Sequence, residues 1–207
     1  TLATASNVTL SNVVSGLTSL TKGGTGTLTL GGANTFSGGL TVNAGTVAIS
    51  AAVGLGTGSS VTLNGGVLQS TGASVDLGTG RGVVLGAGGG RVDVTGSNAL
   101  TVSGVVSGSG ALEKSGPGSM TLSGANTFSG GVTLSGGALS FGSSGNLGDA
   151  SATNTLAVSG GATLGLTAGT VNLGVNRTLS IGAGNAVLDV ATGATLTLPG
   201  VVSGNAL

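Results

Sequence analysis

The chain has 207 residues, five basic and five acidic side chains that cancel, and no His, Cys, Tyr or Trp. These absences remove the usual nucleophiles, metal ligands and redox groups, and the shortage of Lys and Arg argues against a surface for nucleic acid or anionic lipid. Because 39% of the residues are hydrophobic and 46 are Gly, we expect a folded chain with a thin core of small aliphatic side chains.

Short alternating segments recur along the chain, and each has the pattern of a half-buried strand. In chain order they include TLTL at 27–30, LTV at 40–42, TVAI at 46–49, VTL at 61–63, VDV at 92–94 and LTV at 100–102. Gly-containing pairs between them supply tight turns. No segment combines an apolar period near 3.6 with capping residues, so the sequence predicts an all-β chain in which helix is essentially absent.

A long internal repeat organises these segments. The string VVSG begins at Val13, Val105 and Val201, which gives long repeats at 13–104 and 105–200 within one continuous body, 1–207. Residues 13–50 and 105–142 are identical at 20 of 38 positions without a gap, and Arg81 matches Arg177 after an insertion of about four residues near 149–155. Short strands and turns in a long repeat predict a solenoid, with about nine coils if each takes roughly 20–25 residues.

Two segments carry a family resemblance. The run LTKGGTGTLTLGGANTFSGGLTVNAGTVAI at 20–49 and its copy LEKSGPGSMTLSGANTFSGGVTLSGGALSF at 112–141 resemble the passenger-associated transport repeat of Gram-negative autotransporters. The resemblance implies a right-handed parallel β-helix, a single-stranded β-solenoid, that is exported across the outer membrane by a C-terminal translocator barrel. It also implies a location on the cell surface and a repeat that assists folding and secretion of the passenger.

The resemblance implies partners as well. These are the rest of the parent passenger and its translocator barrel, with self-association or a host or matrix surface as further possibilities. We expect the chain to be a portion of a longer passenger, because it contains neither a barrel nor a signal peptide. We expect no nucleic-acid partner and no direct insertion into a membrane.

The shared ANTFSGG turn holds the residues to which we assign a structural role in the repeat. An Asn in such a turn is expected to satisfy backbone groups of the next coil, and a lone Phe is expected to fill the thin core where the coil bends. The predicted turn residues are Asn34, Phe36, Gly38 and Gly39 in the first copy and Asn126, Phe128, Gly130 and Gly131 in the second.

The charged residues form no pattern of a catalytic, cofactor or metal site, and we expect neither an enzyme nor a cofactor. Asp93 and Asp189 occupy equivalent positions one repeat apart, about four coils from each other. At roughly 4.8 Å per coil they are too distant for the paired carboxylates of a glycosidase, which lie roughly 5–10 Å apart.

The remaining charges have simpler interpretations. We expect Arg91 and Asp93, two residues apart on one strand face, to form an exposed ion pair. The adjacent Glu113 and Lys114 are predicted to lie in a solvated turn. Lys22 and Lys114 are equivalents, and both are candidates for a contact between coils.

The sequence favours a structural stalk segment of a secreted passenger that supports surface display, adhesion, and passenger folding and secretion. One alternative is a polysaccharide-degrading β-helix enzyme, which rests on fold analogy alone. Another is an ice-binding β-solenoid, suggested by the Thr-rich strands. An ice-binding face needs Thr-x-Thr aligned on coil after coil, and here the outward positions are mixed.

Overall fold

The computed structural model of the chain describes residues 1–3, 5–16 and 18–204. These residues contain short strands and two single-turn 3-10 helices, Ala52–Leu55 and Ser144–Leu147. In chain order the strands are β1 (Val8–Leu10), β2 (Leu20–Lys22), β3 (Thr27–Leu30), β4 (Leu40–Val42), β5 (Thr46–Ile49), β6 (Ser60–Leu63), β7 (Val67–Ser70), β8 (Ser74–Asp76), β9 (Gly82–Leu85), β10 (Gly90–Val94), β11 (Ala99–Val102), β12 (Val106–Gly108), β13 (Leu112–Ser115), β14 (Ser119–Leu122), β15 (Val132–Leu134), β16 (Ala138–Phe141), β17 (Leu156–Val158), β18 (Thr163–Leu166), β19 (Thr170–Asn172), β20 (Leu179–Ile181), β21 (Val187–Val190), β22 (Thr195–Thr197) and β23 (Val202–Gly204).

The paired strands are parallel and form three faces around one axis. Face 1 is an unbroken ten-stranded ladder, β1-β3-β5-β7-β10-β13-β15-β17-β20-β23. Face 2 is the ladder β2-β4-β6-β9-β12, and face 3 is β8-β11-β14-β16-β18-β21. The chain visits face 2, face 1 and face 3 in that order, as in β9, β10 and β11. The pair β19-β22 therefore continues face 2, because β19 follows β18 of face 3 and precedes β20 of face 1.

The ladder registers give the length of a coil. Thr27 pairs with Thr46, whereas Ser74 pairs with Ala99, so one coil takes between 19 and 25 residues. Ten strands on face 1 correspond to about nine coils. The parallel β-solenoid and the coil number predicted from the sequence are thus confirmed. Each coil hydrogen-bonds to the coil before it and the coil after it. Strands without a partner on one side lie at the two ends and where the ladders of faces 2 and 3 are interrupted, as at β8 and β12.

The core is a set of aliphatic columns that run along the axis. Leu28 lies opposite Val47, and Val47 lies opposite Leu68 on the following coil, and all three are buried. At the intervening positions of the same strands Thr29 is only partly buried, whereas Ala48, which faces the outer side, is buried as well. Period-2 alternation in the sequence therefore places every second residue in the core, and each buried Leu or Val contributes roughly 1.5–3 kcal/mol.

The two long repeats are rotated against each other by one face. Strand β2 of the first repeat lies on face 2, but its equivalent β13 lies on face 1; likewise β3 lies on face 1 and β14 on face 3. From Leu20, four coil steps along face 2 lead through Leu40, Val61 and Val83 to Val106. The next strand along the chain is the one that begins at Leu112. One repeat is therefore four coils plus one face.

Two segments interrupt the ladders, and the rotation places them on different faces. The ANTFSGG segment 33–39 lies between β3 of face 1 and β4 of face 2, so it occupies face 3. Its copy, 125–131, lies between β14 of face 3 and β15 of face 1, so it occupies face 2. In each repeat the 3-10 helix lies on the next coil above this segment: Asn34 N–H donates to Val53 O, and Asn126 N–H donates to Gly145 O.

We predict that Gly130→Ala lowers the free energy of unfolding by at least about 2 kcal/mol, because overpacking a close contact typically costs 1–3 kcal/mol. A Cβ at Gly130 would overlap the Gly110 carbonyl group of the preceding coil. At Gly80 a Cβ would meet nothing within 4 Å. Gly80→Ala is therefore the matched control, and we expect it to change stability by less than about 1 kcal/mol. Urea denaturation measures both, and equal effects would contradict the proposed close approach.

Candidate functional site

The distinctive feature of the chain is a set of polar side chains that bind the backbone of neighbouring coils. We call these six residues the polar anchors. They form three equivalent pairs, one member from each repeat: Lys22 and Lys114, Asn34 and Asn126, and Arg81 and Arg177.

The Asn anchors each tie together three consecutive coils. Asn34 Oδ1 accepts a hydrogen bond of 2.8 Å from Val14 N–H on the preceding coil, and its Nδ2 donates to Gly54 O on the next one at 2.6 Å. Asn126 does the same with Val106 N–H at 2.7 Å and Asn146 O at 2.5 Å. Both side chains are buried. They supply partners to backbone groups that the interrupted strand ladder leaves in the interior.

The remaining residues of the ANTFSGG turn pack in the same place. Phe36 and Phe128 are completely buried within the core cluster. A Cβ at Gly38 would overlap the Thr18 carbonyl oxygen of the preceding coil, as one at Gly130 would overlap Gly110. At Gly39 and Gly131 a Cβ would meet the hydroxyls of Ser60 and Thr155 at 2.7 and 2.8 Å, and the carbonyl oxygens of the same residues at 3.2 and 3.1 Å.

The Lys anchors are completely buried, in strands β2 and β13. Lys114 Nζ donates to three carbonyl oxygens: Ser115 O at 2.8 Å, Gly116 O at 3.0 Å, and Gly136 O on the next coil at 3.2 Å. Three carbonyls match the three N–H donors of an ammonium group. Burial lowers the pKa of Lys114 to about 8, and the Asp93 carboxylate opposes that shift.

Lys22 occupies the equivalent cage in the first repeat. Its Nζ donates to Gly24 O, and to Ala44 O on the next coil at 3.4 Å. Burial lowers the pKa of Lys22 as well. The contact between coils suggested for Lys22 and Lys114 by the sequence is therefore present in both repeats.

The Arg anchors bind the chain that follows each 3-10 helix. Arg81 donates through Nη1 to Leu55 O at 3.2 Å and Gly58 O at 2.6 Å, and through Nη2 to Gly56 O at 2.7 Å. Arg177 donates through Nη2 to Leu147 O and Gly148 O, both at 3.4 Å. Burial lowers the pKa of both guanidinium groups, which nevertheless stay charged.

The insertion in the second repeat changes this Arg site. In the second repeat a side chain provides the acceptor: Asn154 Oδ1 accepts from Arg177 Nε at 2.9 Å and Nη2 at 2.6 Å. In the first repeat Arg81 Nε is buried and has no hydrogen-bond partner within the described residues. The inserted turn before Asn154 is closed by Asp149, whose Oδ1 accepts from Ser151 N–H at 2.9 Å. That bond from Ser151 holds the pKa of Asp149 below its usual value.

Two predictions about the charged residues are wrong. Lys114 does not lie in a solvated turn with Glu113; it lies in β13 and points into the core, while Glu113 points outward. Arg91 does not pair with Asp93. Its Nε lies 3.8 Å from Glu113 Oε1, on the adjacent strand, because the parallel register places those two residues opposite each other.

Asp93 has neutral partners instead. Gln69 Nε2 donates to its Oδ2 at 2.8 Å from the preceding coil, and Ser115 Oγ donates to its Oδ1 at 3.4 Å from the next. Asp93 on face 1 and Asp189 on face 3 lie on different faces, because equivalent residues are rotated by one face.

An open groove of about 440 Å³ lies beside Arg91, between Gly65, Gly89 and Thr133.

The anchors leave the outer surface with mostly acidic charges. Four of the five basic side chains bind backbone carbonyls inside the solenoid, which leaves Arg91 on face 1. Within the described part of the chain, no three His, Cys, Asp or Glu residues are grouped so that they could hold a metal ion. Nor do those residues include a helix with the length and apolar character that crossing a membrane requires.

Comparison with known proteins identifies the repeat. The family model of the passenger-associated transport repeat matches residues 20–49 and 112–141. The chain carries two passenger-associated transport repeats. The resemblance to autotransporter passengers inferred from the sequence is confirmed at the same two segments, and each match contains the Lys and Asn anchors of its repeat. The Arg anchors lie outside both matches.

A curated relative extends this similarity beyond the passenger-associated transport repeats. The adhesin BmaC autotransporter of Brucella suis biovar 1 (strain 1330) is 34% identical to the chain over 190 residues. The aligned region covers 88% of this chain and 5% of that protein, so the chain spans a small part of the relative that it matches. No solved structure matches the chain.

Sequence reasoning identified the Asn and Phe positions but assigned no role to the Arg anchors. A signal was present, because Arg81 matches Arg177 in the self-comparison although the chain has only five basic residues. It also missed Asn154, whose side-chain oxygen binds Arg177, whereas Arg81 binds only backbone carbonyl oxygens.

We predict that Asn126→Ala lowers the free energy of unfolding by roughly 2–5 kcal/mol. The substitution leaves Val106 N–H and Asn146 O buried without their partner, and each orphaned group costs about 1–3 kcal/mol. Asn43 is exposed and provides the control: Asn43→Ala should change stability by less than about 1 kcal/mol. Chemical denaturation of the two variants compares them, and similar losses would show that the Asn126 bonds contribute nothing specific.

We predict that the chain becomes more stable between about pH 8 and about pH 10. The folded-state pKa of Lys114 is about 8 against an ordinary value of 10.5, so in this window the unfolded chain binds more protons than the folded one. The chain has no Cys, Tyr or His, so its two Lys are the only side chains expected to titrate in this window.

The matching variant is Lys114→Met, which keeps Lys22 and the terminal amine. Its stability should rise less over the same pH window than that of the wild type. Denaturation midpoints measured at about pH 7 and about pH 10 give both slopes. Identical slopes would mean that the pKa of Lys114 is not lowered in the folded chain.

Proposed function

We propose that this segment is a non-catalytic stalk of an autotransporter passenger that holds other parts of the protein away from the cell surface. The observation that carries this proposal is the unbroken ten-stranded ladder of face 1, in a solenoid whose successive coils the polar anchors join by hydrogen bonds. Such a ladder extends the solenoid along one axis without forming a lid or a central cavity. The similarity to an adhesin autotransporter supports the same role.

The distribution of reactive groups supports a scaffold over an enzyme. Both Lys side chains and Arg177 are buried and bonded to carbonyl oxygens. Asp93 and Asp189 lie on different faces, so the repeat does not bring equivalent carboxylates together. The Thr ladder on face 2, which includes Thr41 and Thr62, gives way to Val84 on the next coil, so it lacks the long regular array of an ice-binding face.

The anchors also support a role in folding during export. Each Asn anchor bonds to the coil before and the coil after its own, so a newly formed coil gains these bonds only when its neighbours are in place. We propose that this coupling favours coil-by-coil growth of the passenger at the cell surface, after passage through a C-terminal translocator barrel. Growth on an existing coil avoids the entropic cost of forming a new folding nucleus.

We also propose a role for this surface in adhesion. The outer surface combines hydroxyl side chains with the carboxylates of Asp76, Glu113 and Asp189 and few free cations. Such a surface suits weak hydrogen bonding to another copy or to a host or matrix surface. It repels strongly anionic partners.

A replacement experiment separates display from direct adhesion. In the parent passenger, this segment is exchanged for a β-helical segment of equal coil number and unrelated surface, and both proteins are quantified on intact cells with an antibody to the passenger tip. For a stalk, adhesion per displayed molecule stays within about twofold, whereas a direct adhesive role predicts at least about a tenfold loss, which is roughly 1.4 kcal/mol of binding free energy. New reducing ends after incubation of the segment with polysaccharides would overturn the non-catalytic assignment.

Export is tested with the double variant Asn34→Ala, Asn126→Ala in the same passenger. We expect less passenger on the surface than in the Asn43→Ala control, because coils without the anchors are less stable. Equal amounts of both variants on the surface would remove the anchors from any role in export.

A further inference from the structure

The C-terminal end of the solenoid exposes residues whose equivalents in the first repeat are buried. Leu188 and Val190 in β21 are 39% and 38% exposed, whereas Val92 and Val94 in β10 are 2% and 0% exposed. The difference has a simple cause. Strand β13 lies on β10, and no strand of the described residues lies on the corresponding side of β21.

A backbone donor points toward the same open end. Val14 N–H and Val106 N–H, each in a VVSG string, donate to the Oδ1 of an Asn anchor on the next coil. Val202 holds the equivalent place in the third VVSG string. Leu179 N–H donates to Val201 O just as Val83 N–H donates to Val105 O, so Val202 N–H points away from β20.

The rotation of the repeat fixes where a further unit would lie. The VVSG strings move from face 3, between β1 and β2, to face 2 in β12 and to face 1 in β23. The ANTFSGG segment has occupied face 3 and then face 2. One more step places it on face 1, the face that is unbroken in this chain.

We propose that the open end formed by β21 and β23 is the docking surface for a third repeat unit of the same parent chain, rotated by one further face. Its Leu-x-Lys strand lies on β21 and covers Leu188 and Val190, as β13 covers Val92 and Val94 on β10. Its turn Asn accepts from Val202 N–H. Three such units of four coils and one face complete about thirteen coils before the turn returns to its first face.

The length of the curated relative supports this occupant over a second copy of the chain. The aligned region is 5% of that autotransporter, which leaves ample chain for further units. The docking geometry also continues an interface already present inside this chain, between β10 and β13. The inference concerns the joining of units and stands whether or not the segment adheres to anything.

Cysteine cross-linking tests the rotation, because the natural chain has no Cys. Residues 109–204 are appended after Gly204 as a third unit. Val187→Cys is combined with Cys at the appended copy of Glu113, a pair equivalent to Arg91 and Glu113, which are opposite each other in β10 and β13. Adjacent strand positions lie within the Cα distance that a disulfide tolerates.

The expected result is a disulfide that forms as completely as in the control Arg91→Cys, Glu113→Cys of the 207-residue chain. A second control joins Ser203→Cys on face 1 to the same appended Cys, and it should not close. Closure of the Ser203 pair, or failure of the Val187 pair while the Arg91 control closes, would overturn the proposal.

Amide hydrogen exchange gives a readout that needs no cysteine. In the extended chain, exchange of Val202 N–H should slow by at least about tenfold, which corresponds to roughly 1.4 kcal/mol. Alanine at the appended copy of Asn126 should reverse that protection. Unchanged exchange would refute the docking. Protection of Val202 in a dimer of the unextended chain would assign the surface to a second copy and overturn our choice of occupant.

Discussion

The structure depends on the constraint that every coil must hydrogen-bond to its neighbours at one fixed spacing. A parallel ladder advances roughly 4.8 Å per coil, whatever the number of residues in that coil. Coils of 19 to 25 residues therefore differ only at their corners and on the face where the ladder is interrupted. Backbone groups that leave the ladder there are buried and need partners. The polar anchors supply them, and this explains why so few polar side chains enter the core and why the Lys and Asn anchors among them occur in equivalent pairs.

The anchors give the chain an unusual division of charge. Lys114 would be costly to bury alone, but three carbonyl oxygens surround its ammonium group and Asp93 lies near enough to favour the charged form. Arg81 and Arg177 use the same compensation at the end of each 3-10 helix. The formal net charge of zero thus conceals an interior that holds most of the cations and an exterior that holds most of the carboxylates.

Much of the fold could be predicted from the sequence because a solenoid repeats a similar pattern of strands and turns in each coil. Alternating strands, glycine turns and the ANTFSGG copies indicated the coils and their number, and they singled out Asn34 and Phe36 as turn residues. The position of Lys114 was also available in principle: in Leu-x-Lys the Lys has the same phase as a core Leu, so a strand there must point it inward. The general rule that Lys is exposed outweighed that local pattern.

Other features depend on register, which periodicity alone does not supply. The partner of Arg91 is Glu113, 22 residues later, because the corner between them is one particular length. The rotation between repeats likewise depends on six residues beyond four complete coils, a difference smaller than the variation in coil length. Arg81 could be recognised as special only through its copy, since its contacts with Leu55 and Gly56 span a whole coil.

The rotation has a mechanical consequence for a stalk. Every interruption of the ladder replaces strand pairing on one face with side-chain anchors, so it is the place where coils can separate most easily. A repeat of exactly four coils would align these interruptions along one side of the rod. With one extra face per repeat, face 1 stays continuous across both interruptions in this chain, and each interruption is flanked by two intact ladders. A small length difference in the repeat thereby distributes the weak points around the axis, which is what a long, unsupported rod requires.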